Sequence, residues 1–542
     1  MRSADPGALE KSNHMSDHRT NTASEPPLHG IPDHWDDEAD LLILGYGGAG
    51  ATCAAVAAET GADVLVLEKG EIGGGNSACI AGSLILHADD EERALEYLDW
   101  LCGGQTETEV LQAYIDGLAD IPEFQSHLGF LMKEDPKPFR ADGFYPEYPG
   151  APGAGGLLGH SVISAPGGDA LWTAIAKLAE ERGARIRLQT PAERLVQDPD
   201  TGEILGAIAR TADGRRIAVR GRRATVLATG GFEFNDDMRR QFLTHAPVNF
   251  IGSPLLTGDG IAMAQRAGAK LWHMNSVSGP LYWGIEVEEG RVYVTYDFMR
   301  LVRFGYSSPV FQEAGSLIWV NKSGRRFHNE TLEIGTLRHG YANRASWFDL
   351  DPDAAEFTNI PAFQIFDEKV RRAGAAMTTL NSRTPAWSSD NLAEIEKGWI
   401  ITADTIEELA EKCVFAAESG AYRGGSIDPA VLAQTIHDWN EACRAGVDAE
   451  HGREDFLAPL DEAPFYAVGP MIPTFINTHG GPKHDARQRV LDAQDQPIPR
   501  LYAIGECGSL WGPYYNSMGD VTEFLISGAN AARSALAEEP LP

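Results

Sequence analysis

The sequence predicts an α/β protein whose core is a parallel β-sheet, and three observations near the N-terminus predict it. Leu41–Leu44 is a short, wholly apolar run, as expected for a strand that is buried on both faces. A G-x-G-x-x-G sequence follows at 45–50, and the small residues from Ala49 to Ala58 form a helix face that can pack closely on a sheet. Asp63–Leu67 has the composition of a second strand, which ends at Glu68.

The glycine-rich turn in this setting indicates a dinucleotide site. Gly45 permits the tight turn, Gly47 lets the backbone approach a pyrophosphate, and Gly50 lets the helix touch the strand. The helix N-terminus offers N–H groups and a partial positive charge to phosphate. Glu68, eighteen residues after Gly50, can accept hydrogen bonds from a ribose 2′-hydroxyl. Without the flanking strands the glycines would indicate only close packing; with them, they predict a Rossmann-type domain.

The length of the chain, its net charge and the spacing of its cysteines exclude several classes of protein. The chain has 542 residues, enough for two or three domains, and its net charge of −33 argues against nucleic acid as a partner. It contains no run of about 18 apolar residues, so we expect no membrane span. The six cysteines form no C-x-x-C pair, so we expect no metal site and no attached haem. Residues 1–37 are polar, and we expect them to be a disordered tail on a cytoplasmic protein.

The remainder of the chain alternates strands and helices with glycine-rich stretches. GGGNS at 73–77 suggests backbone wrapped around a large ligand, although a surface loop would look similar. We expect helical structure over 89–131, and a long Pro/Gly loop over 141–168. Further strands are expected at Ala184–Leu188, Ala192–Val196, Ile204–Arg210, Arg216–Val219, Thr225–Ala228 and Leu501–Ile504, and helices at Asp169–Arg182, Asp404–Ser419, Pro429–Arg444 and about Val521 to Ala537.

Several further motifs occur in a fixed order: ATGG at 228–231, TGDG at 257–260, NKSGRRFHNE at 321–330, PAFQIFD at 361–367, HGG at 479–481 and LYAIGE at 501–506. With the two earlier motifs, they make the chain resemble the fumarate reductase/succinate dehydrogenase flavoprotein superfamily, which includes the 3-ketosteroid dehydrogenases. The resemblance extends over nearly everything from 38 to 538. It implies an FAD-binding domain that is split in sequence, at 38–272 and 465–542, with an inserted α+β capping domain at 273–464.

The resemblance also implies which residues contact FAD. Asn76 stands where the membrane complexes of the family carry a histidine that is bonded to the flavin, so noncovalent FAD is expected. The implied contacts are Gly45, Gly47, Gly48, Ala49, Gly50, Glu68, Lys69, Gly74, Asn76, Ser77, Gly82, Ala192, Ala228, Thr229, Gly230, Gly258, Asp259, Gly505, Glu506, Gly519, Val521 and Thr522.

The positions that bind dicarboxylates in the family are changed in this chain. Ile334 replaces the cap arginine that follows N-E by five residues, and Asn516 replaces the arginine before the last helix. The T-E-A-V-R sequence of the family is also missing, and Phe311-Gln-Glu-Ala stands there. Two carboxylates need paired cations, so the sequence argues against fumarate or succinate as the substrate.

The resemblance to the ketosteroid dehydrogenases is closer at one point. Those enzymes hold the ketone with a tyrosine hydroxyl and, four residues later, a glycine N–H, and Tyr515 and Gly519 have that spacing. Two fixed donors would stabilise the enolate that forms when an α-proton is removed. The cap tyrosine that acts as base in that branch falls at Ile334. The remaining candidates for the base, each also explicable as structural, are Tyr306, Tyr296, Tyr145, Tyr148, His273, His328 and His479.

These observations predict an FAD-dependent oxidoreductase that desaturates a small, apolar cyclic ketone and passes hydride to flavin N5. An apolar substrate fits the segment 272–311, in which nine of 40 residues are aromatic, although many of these could simply be core. The alternative is an enoate reductase acting on an unsaturated acid. A flavin-carrying electron-transfer subunit is a third reading. The sequence does not identify the electron acceptor.

Overall fold

The structure is a computed structural model. It describes residues 30–80, 84–122, 124, 146–161, 168–288, 290–295, 317–330, 347–454, 456–516 and 519–542. Its fold is mixed α/β, as predicted, with two large sheets. None of the helices in these ranges is both long and apolar enough to cross a membrane.

The strands of the described residues are β1 (Asp37–Leu44), β2 (Val64–Leu67), β3 (Leu84–Ala88), β4 (Leu157–Ser161), β5 (Arg185–Arg187), β6 (Ala192–Gln197), β7 (Ile204–Arg210), β8 (Arg216–Leu227), β9 (Asn249–Phe250), β10 (Leu271–Trp272), β11 (Tyr282–Glu288), β12 (Arg291–Val294), β13 (Ile318–Asn321), β14 (Leu350–Asp351), β15 (Glu356–Phe357), β16 (Ala362–Asp367), β17 (Ile400–Ala403), β18 (Val414–Phe415), β19 (Gly425–Ser426), β20 (Phe465–Phe475), β21 (Gly481–Pro482), β22 (Arg489–Leu491) and β23 (Pro497–Ala503).

The helices of the same residues are α1 (Gly48–Glu59), α2 (Gly75–Cys79), α3 (Glu91–Cys102), α4 (Thr108–Leu118), α5 (Gly168–Glu181), α6 (Asp236–Phe242), α7 (Asp259–Arg266), α8 (Glu368–Ala373), α9 (Leu392–Glu396), α10 (Ile406–Lys412), α11 (Pro429–Ala445) and α12 (Gly519–Leu536).

The first sheet has five parallel strands in the order β23-β8-β1-β2-β5. Strand β22 pairs antiparallel with β23, and β7 pairs antiparallel with the first half of β8. Leu44 is in register with both Leu67 and Leu227, and Ala503 is in register with Leu227. Four strands therefore end at one level, and the glycine-rich turns that follow them meet at a single edge.

Helix α1 covers this sheet and packs against the C-terminal helix α12. Its alanines and glycines are almost all buried, because small side chains allow both the sheet and α12 to approach closely. A Cβ on Gly50 would lie 2.1 Å from the carbonyl oxygen of Gly45, and one on Gly528 would lie 2.8 Å from that of Ala49. The first and last helices of the body are thus held in contact by residues that cannot be enlarged.

The second sheet is mainly antiparallel, in the order β12-β11-β20-β16-β13, and β17 and β9 also pair with β20. Its central strand β20 has eleven residues. The sequence assigns β9 and β20 to the two FAD-binding segments, whereas here they are strands of the second sheet. The boundaries at 272/273 and 464/465 stay predictions. Of the aromatic residues at 272–311, Trp272, Tyr282, Trp283 and Tyr293 are buried in cores.

The secondary structure differs from the prediction at several places. The expected loop over 141–168 contains β4, which pairs antiparallel with β3, so the apolar pair Leu157-Leu158 belongs to a strand. The two strands expected at 216–228 are one strand, β8, in which a register shift against β1 places Arg222 and Arg223 opposite the single residue Asp40. The helix expected over 404–419 ends at Lys412, because the chain continues into β18.

The ordered body begins before the predicted boundary at residue 38. Strand β1 starts at Asp37, and the N–H of Asp36 donates to the carbonyl of Ala218 at 2.8 Å. The carboxylate of Asp37 accepts hydrogen bonds from Arg185. Polar composition therefore did not indicate that Asp36 and Asp37 belong to the sheet, because these acids pair with arginines of neighbouring strands.

Candidate active site

A cleft lies at the edge where β1, β2, β8 and β23 end, and its volume is about 390 Å³. The wall is formed by the residues that directly follow these strands, together with the first turns of α1, α2 and α12. Ligands of open parallel sheets bind at this edge, since loops diverge there and helix N-termini point towards it. The cleft is therefore the candidate site.

The first turn has the space that a bound phosphate group requires. Gly45 has φ of 106°, and a Cβ there would lie 2.3 Å from the carbonyl oxygen of Ala228. At Gly47 an added Cβ would meet nothing nearer than 3.8 Å within the chain, so packing does not require glycine there. The open side of Gly47 faces a cleft, as expected where backbone must approach a pyrophosphate. The neighbouring N–H, on Gly48, donates to Ser77 Oγ at 3.0 Å.

The acid and the lysine that follow β2 are both fixed in the wall. Glu68 accepts hydrogen bonds from the N–H of Tyr46 at 2.8 Å and of Gly70 at 2.7 Å. Lys69 Nζ lies 2.6 Å from the Asp259 carboxylate at the start of α7. These contacts fix the orientation of the Glu68 carboxylate and tie β2 to a segment 190 residues away.

Asn76 links three segments at the centre of the cleft. Its amide Nδ2 lies 3.3 and 3.4 Å from the two carboxylate oxygens of Glu506, and its Oδ1 accepts from the N–H of Ser253 at 3.0 Å. Asn76 therefore ties the glycine-rich stretch at 73–77 to Glu506 and to the segment at Ser253.

The cleft gathers most of the residues that the motifs imply for FAD. Those in its wall are Gly45, Gly47, Gly48, Ala49, Glu68, Lys69, Asn76, Ser77, Ala192, Ala228, Thr229, Gly230, Asp259, Gly505, Glu506 and Val521. Gly50, Gly74, Gly258, Gly519 and Thr522 are not in the wall, and Gly82 lies outside the described residues. Thr522 Oγ1 instead accepts from the N–H of Leu86 on β3.

Tyr515 lies in the wall at the start of α12, and only 5% of it is exposed. Its hydroxyl oxygen accepts from the N–H of Asp520 at 3.2 Å, and its ring packs against His479 and Trp511. Gly519 is placed differently from the expectation. Its N–H donates to the carbonyl of Asn516 at 3.0 Å, and a Cβ there would lie 2.1 Å from the Trp511 ring. Gly519 thus packs against Trp511, with its N–H directed into the chain.

None of the candidate bases that the structure describes is in the cleft wall. Tyr145, Tyr296, Tyr306 and the position Ile334 lie outside the described residues. Tyr148 packs against Trp100 and Tyr514, and His328 packs against Trp319 and Phe327. The Nδ1 of His273 hydrogen-bonds the Ser509 carbonyl, and burial lowers the pKa of His273 to about 4. His479 is fully buried behind Tyr515.

Sequence reasoning missed several polar residues of the wall, among them Arg383, Asn477 and Asp520. Arg383, an exposed residue of the region assigned to the cap, donates to the Gly73 carbonyl at 2.6 Å. Asn477 and Asp520 are joined by a hydrogen bond of 2.8 Å. Asn477 stands two residues before the HGG motif, and Asp520 directly follows Gly519. The position of Asn477 and Asp520 next to those motifs was the sequence signal that could have identified them as wall residues.

Carboxyl groups are concentrated beside the start of α12. Burial, followed by the neighbouring charge of Glu233, raises the pKa of Glu506 well above its ordinary value. Burial likewise raises the pKa of Glu233. Burial and the charge of Asp520 raise the pKa of Glu523 to about 8, even though Glu523 accepts from Ser509 and Leu510. This end of the cleft therefore holds protonated acids near neutral pH.

A family model described as an FAD binding domain matches residues 40–520 of the chain. The match spans most of the chain, and the glycine-rich cleft fits the same ligand. The chain belongs to this family, and it is an FAD-dependent oxidoreductase of the fumarate reductase/succinate dehydrogenase group, which confirms the resemblance seen in the motifs.

Relatives of two activities are similar to the chain. It is 27% identical over 549 residues to a 4-oxocyclohexanecarboxylate 2-dehydrogenase from Sinomonas cyclohexanicum, covering 86% of this chain and 87% of that one. It is 25% identical over 544 residues to an NADH:acrylate oxidoreductase from Vibrio harveyi, covering 87% of this chain but 47%, about half, of that relative. A 3-ketosteroid Δ1-dehydrogenase structure from Sterolibacterium denitrificans, in complex with 1,4-androstadiene-3,17-dione, has the same fold, with a TM-score of 0.68 and 23% identity over 92% of this chain and 100% of that one.

The raised pKa of Glu523 predicts a pH-dependent stability. Between the ordinary pKa near 4.5 and the folded value near 8, the folded protein keeps a proton that the unfolded chain has released. The free energy of unfolding should therefore fall as pH rises through this window, by up to about 1.4 kcal/mol per pH unit for this group. Glu523→Gln should remove that slope, which urea unfolding from pH 5 to 8 would measure. The exposed Glu407→Gln on α10 is the control, and curves for Glu523→Gln that run parallel to wild type would contradict the assignment.

Proposed function

We propose that the chain desaturates a cyclic ketone next to its carbonyl, or catalyses the reverse, with noncovalent FAD in a Rossmann-type domain that the capping region 273–464 interrupts. The observation that carries the proposal is the Tyr515 hydroxyl, a buried phenol in the cleft wall at the N-terminus of α12. Removal of an α-proton builds negative charge on the ketone oxygen. A preorganised hydroxyl donor and the positive end of a helix both stabilise that charge.

The chemistry of the wall supports an apolar ring as the substrate. Four half-buried aliphatic residues of the cleft wall pack against one buried apolar cluster: Ile80, Leu281, Leu380 and Ile476. The described wall residues include two cations, Lys69 and Arg383. Lys69 is paired with Asp259, whereas Arg383 forms no ion pair with a carboxylate among the described residues. A dicarboxylate needs more than one such cation. The ketone dehydrogenase from Sinomonas cyclohexanicum supports the same substrate class.

FAD would be held by the glycine turn at 45–50, by Glu68 and by the hydrogen-bonded pair of Asn76 and Glu506. When bound, FAD accepts the hydride that leaves the β-carbon. The residues of this chain then bind the ring, hold its ketone oxygen at Tyr515 and exclude water. Gly519 would become the second donor only if its N–H left the Asn516 carbonyl.

The second candidate is reduction of an unsaturated acid. Arg383 favours it, because a guanidinium in the wall can bind one carboxylate with two hydrogen bonds. The acrylate oxidoreductase from Vibrio harveyi acts on a substrate of that class by name. The two candidates differ in the group that is recognised, an apolar ketone or a carboxylate, and in the direction of electron flow.

An anaerobic screen of ketones and unsaturated acids separates the candidates. We expect cyclic ketones to bleach the oxidised flavin absorbance, and fumarate to reoxidise the reduced flavin slowly or not at all. Fast reoxidation by unsaturated monocarboxylic acids, without any response to ketones, would instead support the second candidate. Robust turnover of fumarate or succinate would show that the site has a dicarboxylate clamp. A protein that responds to neither class and binds a redox partner tightly would be an electron-transfer subunit.

Noncovalent binding makes a separate prediction. Asn76 has no nucleophilic ring nitrogen, so the flavin should leave the chain on precipitation with trichloroacetic acid and appear in the supernatant. Asn76→Asp tests the amide that meets Glu506, since it removes the N–H donor to that carboxyl group and adds a second buried acid, which should lower the FAD content. Yellow colour that remains in the washed precipitate would disprove the noncovalent link.

The role of Tyr515 predicts a specific kinetic effect. Tyr515→Phe removes the hydroxyl and keeps the ring that packs against His479 and Trp511, so FAD content should hold. Loss of one oxyanion donor should lower the rate of ketone-dependent flavin bleaching about 10²–10³-fold. The dissociation constant of the ketone should change much less, because the charge develops in the transition state.

Tyr514→Phe is the matched control. Tyr514 stacks on Trp100 at 4.8 Å and is not in the cleft wall, so its variant should bleach at nearly the wild-type rate. Near-wild-type bleaching by Tyr515→Phe would rule out the enolate role. Loss of FAD from both variants would show that this segment is structural.

A further inference from the structure

Asp520 places a carboxylate in the cleft wall beside Tyr515. It is the second residue of α12, and its own N–H donates to the Tyr515 hydroxyl at 3.2 Å. Oδ2 accepts from Asn477 Nδ2 at 2.8 Å, and His479 Nε2 lies 3.4 Å from both carboxylate oxygens. Oδ1 is buried and has no hydrogen-bond partner among the described residues. A proton acceptor therefore stands next to the group to which we assign the ketone oxygen.

The hydrogen bonds of His479 fix where its protons lie. The hydroxyl of Ser276 has a single proton, which it donates to the carbonyl of Gly512, so its oxygen accepts from His479 Nδ1 at 3.1 Å. Nδ1 of His479 is thus protonated, and its Nε2 is the nitrogen that faces Asp520. A bare Nε2 lone pair facing a carboxylate would be repulsive, so the contact is stable when one proton lies between Nε2 and Asp520.

Several titratable side chains of the described residues face this pair. Glu506 and Glu233 face it from the ends of β23 and β8, and Glu523 faces it from the next turn of α12. Each of these acids interacts electrostatically with Asp520. The remaining titratable neighbours are His273, which interacts with His479, Tyr114, which interacts with Asp520, and Tyr515 itself.

Geometry separates Asp520 from the other titratable groups of the described wall. The base must lie close to the donor that holds the ketone oxygen, because the α-carbon is bonded directly to the carbonyl carbon. Glu68, Lys69 and Asp259 surround the strand β2 side of the cleft, and the Tyr46 hydroxyl donates to the Ala176 carbonyl behind the sheet. Glu506 is a poorer proton acceptor, because burial and the neighbouring charge of Glu233 raise its pKa well above its ordinary value.

We propose that Asp520 is the catalytic base of the ketone desaturation, and that His479, oriented by Ser276, is a positioning residue that shares the abstracted proton; this rests on the function proposed above. Asp520 takes the proton from the α-carbon, and the electron pair of that C–H bond forms the enolate double bond. As the carbonyl re-forms, the electron pair of the enolate double bond becomes the new α,β double bond. The β-hydrogen leaves with its own electron pair as hydride to FAD. The ketone is oxidised by two electrons, FAD is reduced by two, and the proton remains on the Asp520–His479 pair.

The decisive variant is Asp520→Asn, which keeps the shape and removes the base. It should bleach with a bound cyclic ketone about 10²–10⁴-fold more slowly than wild type, with a similar ketone dissociation constant and FAD content. The wild-type rate should rise with pH through one deprotonation, and the variant should lack this rise. Asp237→Asn is the matched control, because it removes an exposed carboxylate from the first turn of another helix, α6, outside the cleft wall.

A second variant and a measurement without substrate keep the proposal testable if Asp520→Asn fails to retain FAD. His479→Gln should move the pH at which the bleaching rate rises while retaining part of that rate. ¹⁵N spectra of the imidazole of His479, assigned by their loss in His479→Gln, should show Nδ1 protonated throughout and Nε2 titrating. An unchanged pH profile in His479→Gln, or a titrating Nδ1, would overturn the shared proton.

The outcomes separate this proposal from the proposed function. If wild type responds to ketones and Asp520→Asn bleaches within about threefold of its rate, which is far less than a lost base should cost, the base is another group and the desaturation stands. If wild type responds to no ketone, the proposed function fails, and the role of Asp520 in it fails too.

Discussion

The alignment of four strand ends is the constraint on which the site depends. Leu44, Leu67, Leu227 and Ala503 share one level of the parallel sheet, so the turns that follow them surround a single cleft. A shift of any one strand by a residue would turn its side chains to the opposite face and displace its turn from that edge. The register is held by buried apolar residues on both faces of the sheet. Packing far from the chemistry therefore decides where the glycines and acids of the cleft stand.

The carboxyl end of this sheet also tolerates an unusual concentration of acids. Glu233, Glu506, Glu523 and Asp520 come from three segments and approach the N-terminus of α12. Buried carboxyls are neutral unless cations compensate them, and around the three glutamates the described residues supply hydroxyl, amide and backbone donors instead. Hydrogen-bonded neutral acids cost less to bury than charged ones. The net charge of the whole protein consequently does not describe the charge at this end of the cleft.

Local patterns predicted the parts of the fold that local physics decides. The apolar run of β1, the turn at 45–50 and the small-residue face of α1 are contiguous in sequence, and the sequence was sufficient to place them. Strands β3 and β4 were missed because each pairs only with the other, and more than 60 residues of chain separate them. The link between Asn477 and Asp520 was hidden for the same reason, since nothing in either segment identifies its partner. Gly519 shows a further limit: its spacing matched a donor, while Trp511, which comes earlier in the same loop, decided where its N–H points.

The order of the strands along the chain has a consequence for how the protein is made. Strand β23 and helix α12 complete the cleft, and both come from the last part of the sequence, after the whole second sheet. Until they emerge from the ribosome, the alanine face of α1 is uncovered and one side of β8 has no parallel partner. The wall of the cleft is therefore incomplete while the second sheet is being made. A ligand that needs the whole wall can bind fully only after β23 and α12 have emerged and packed.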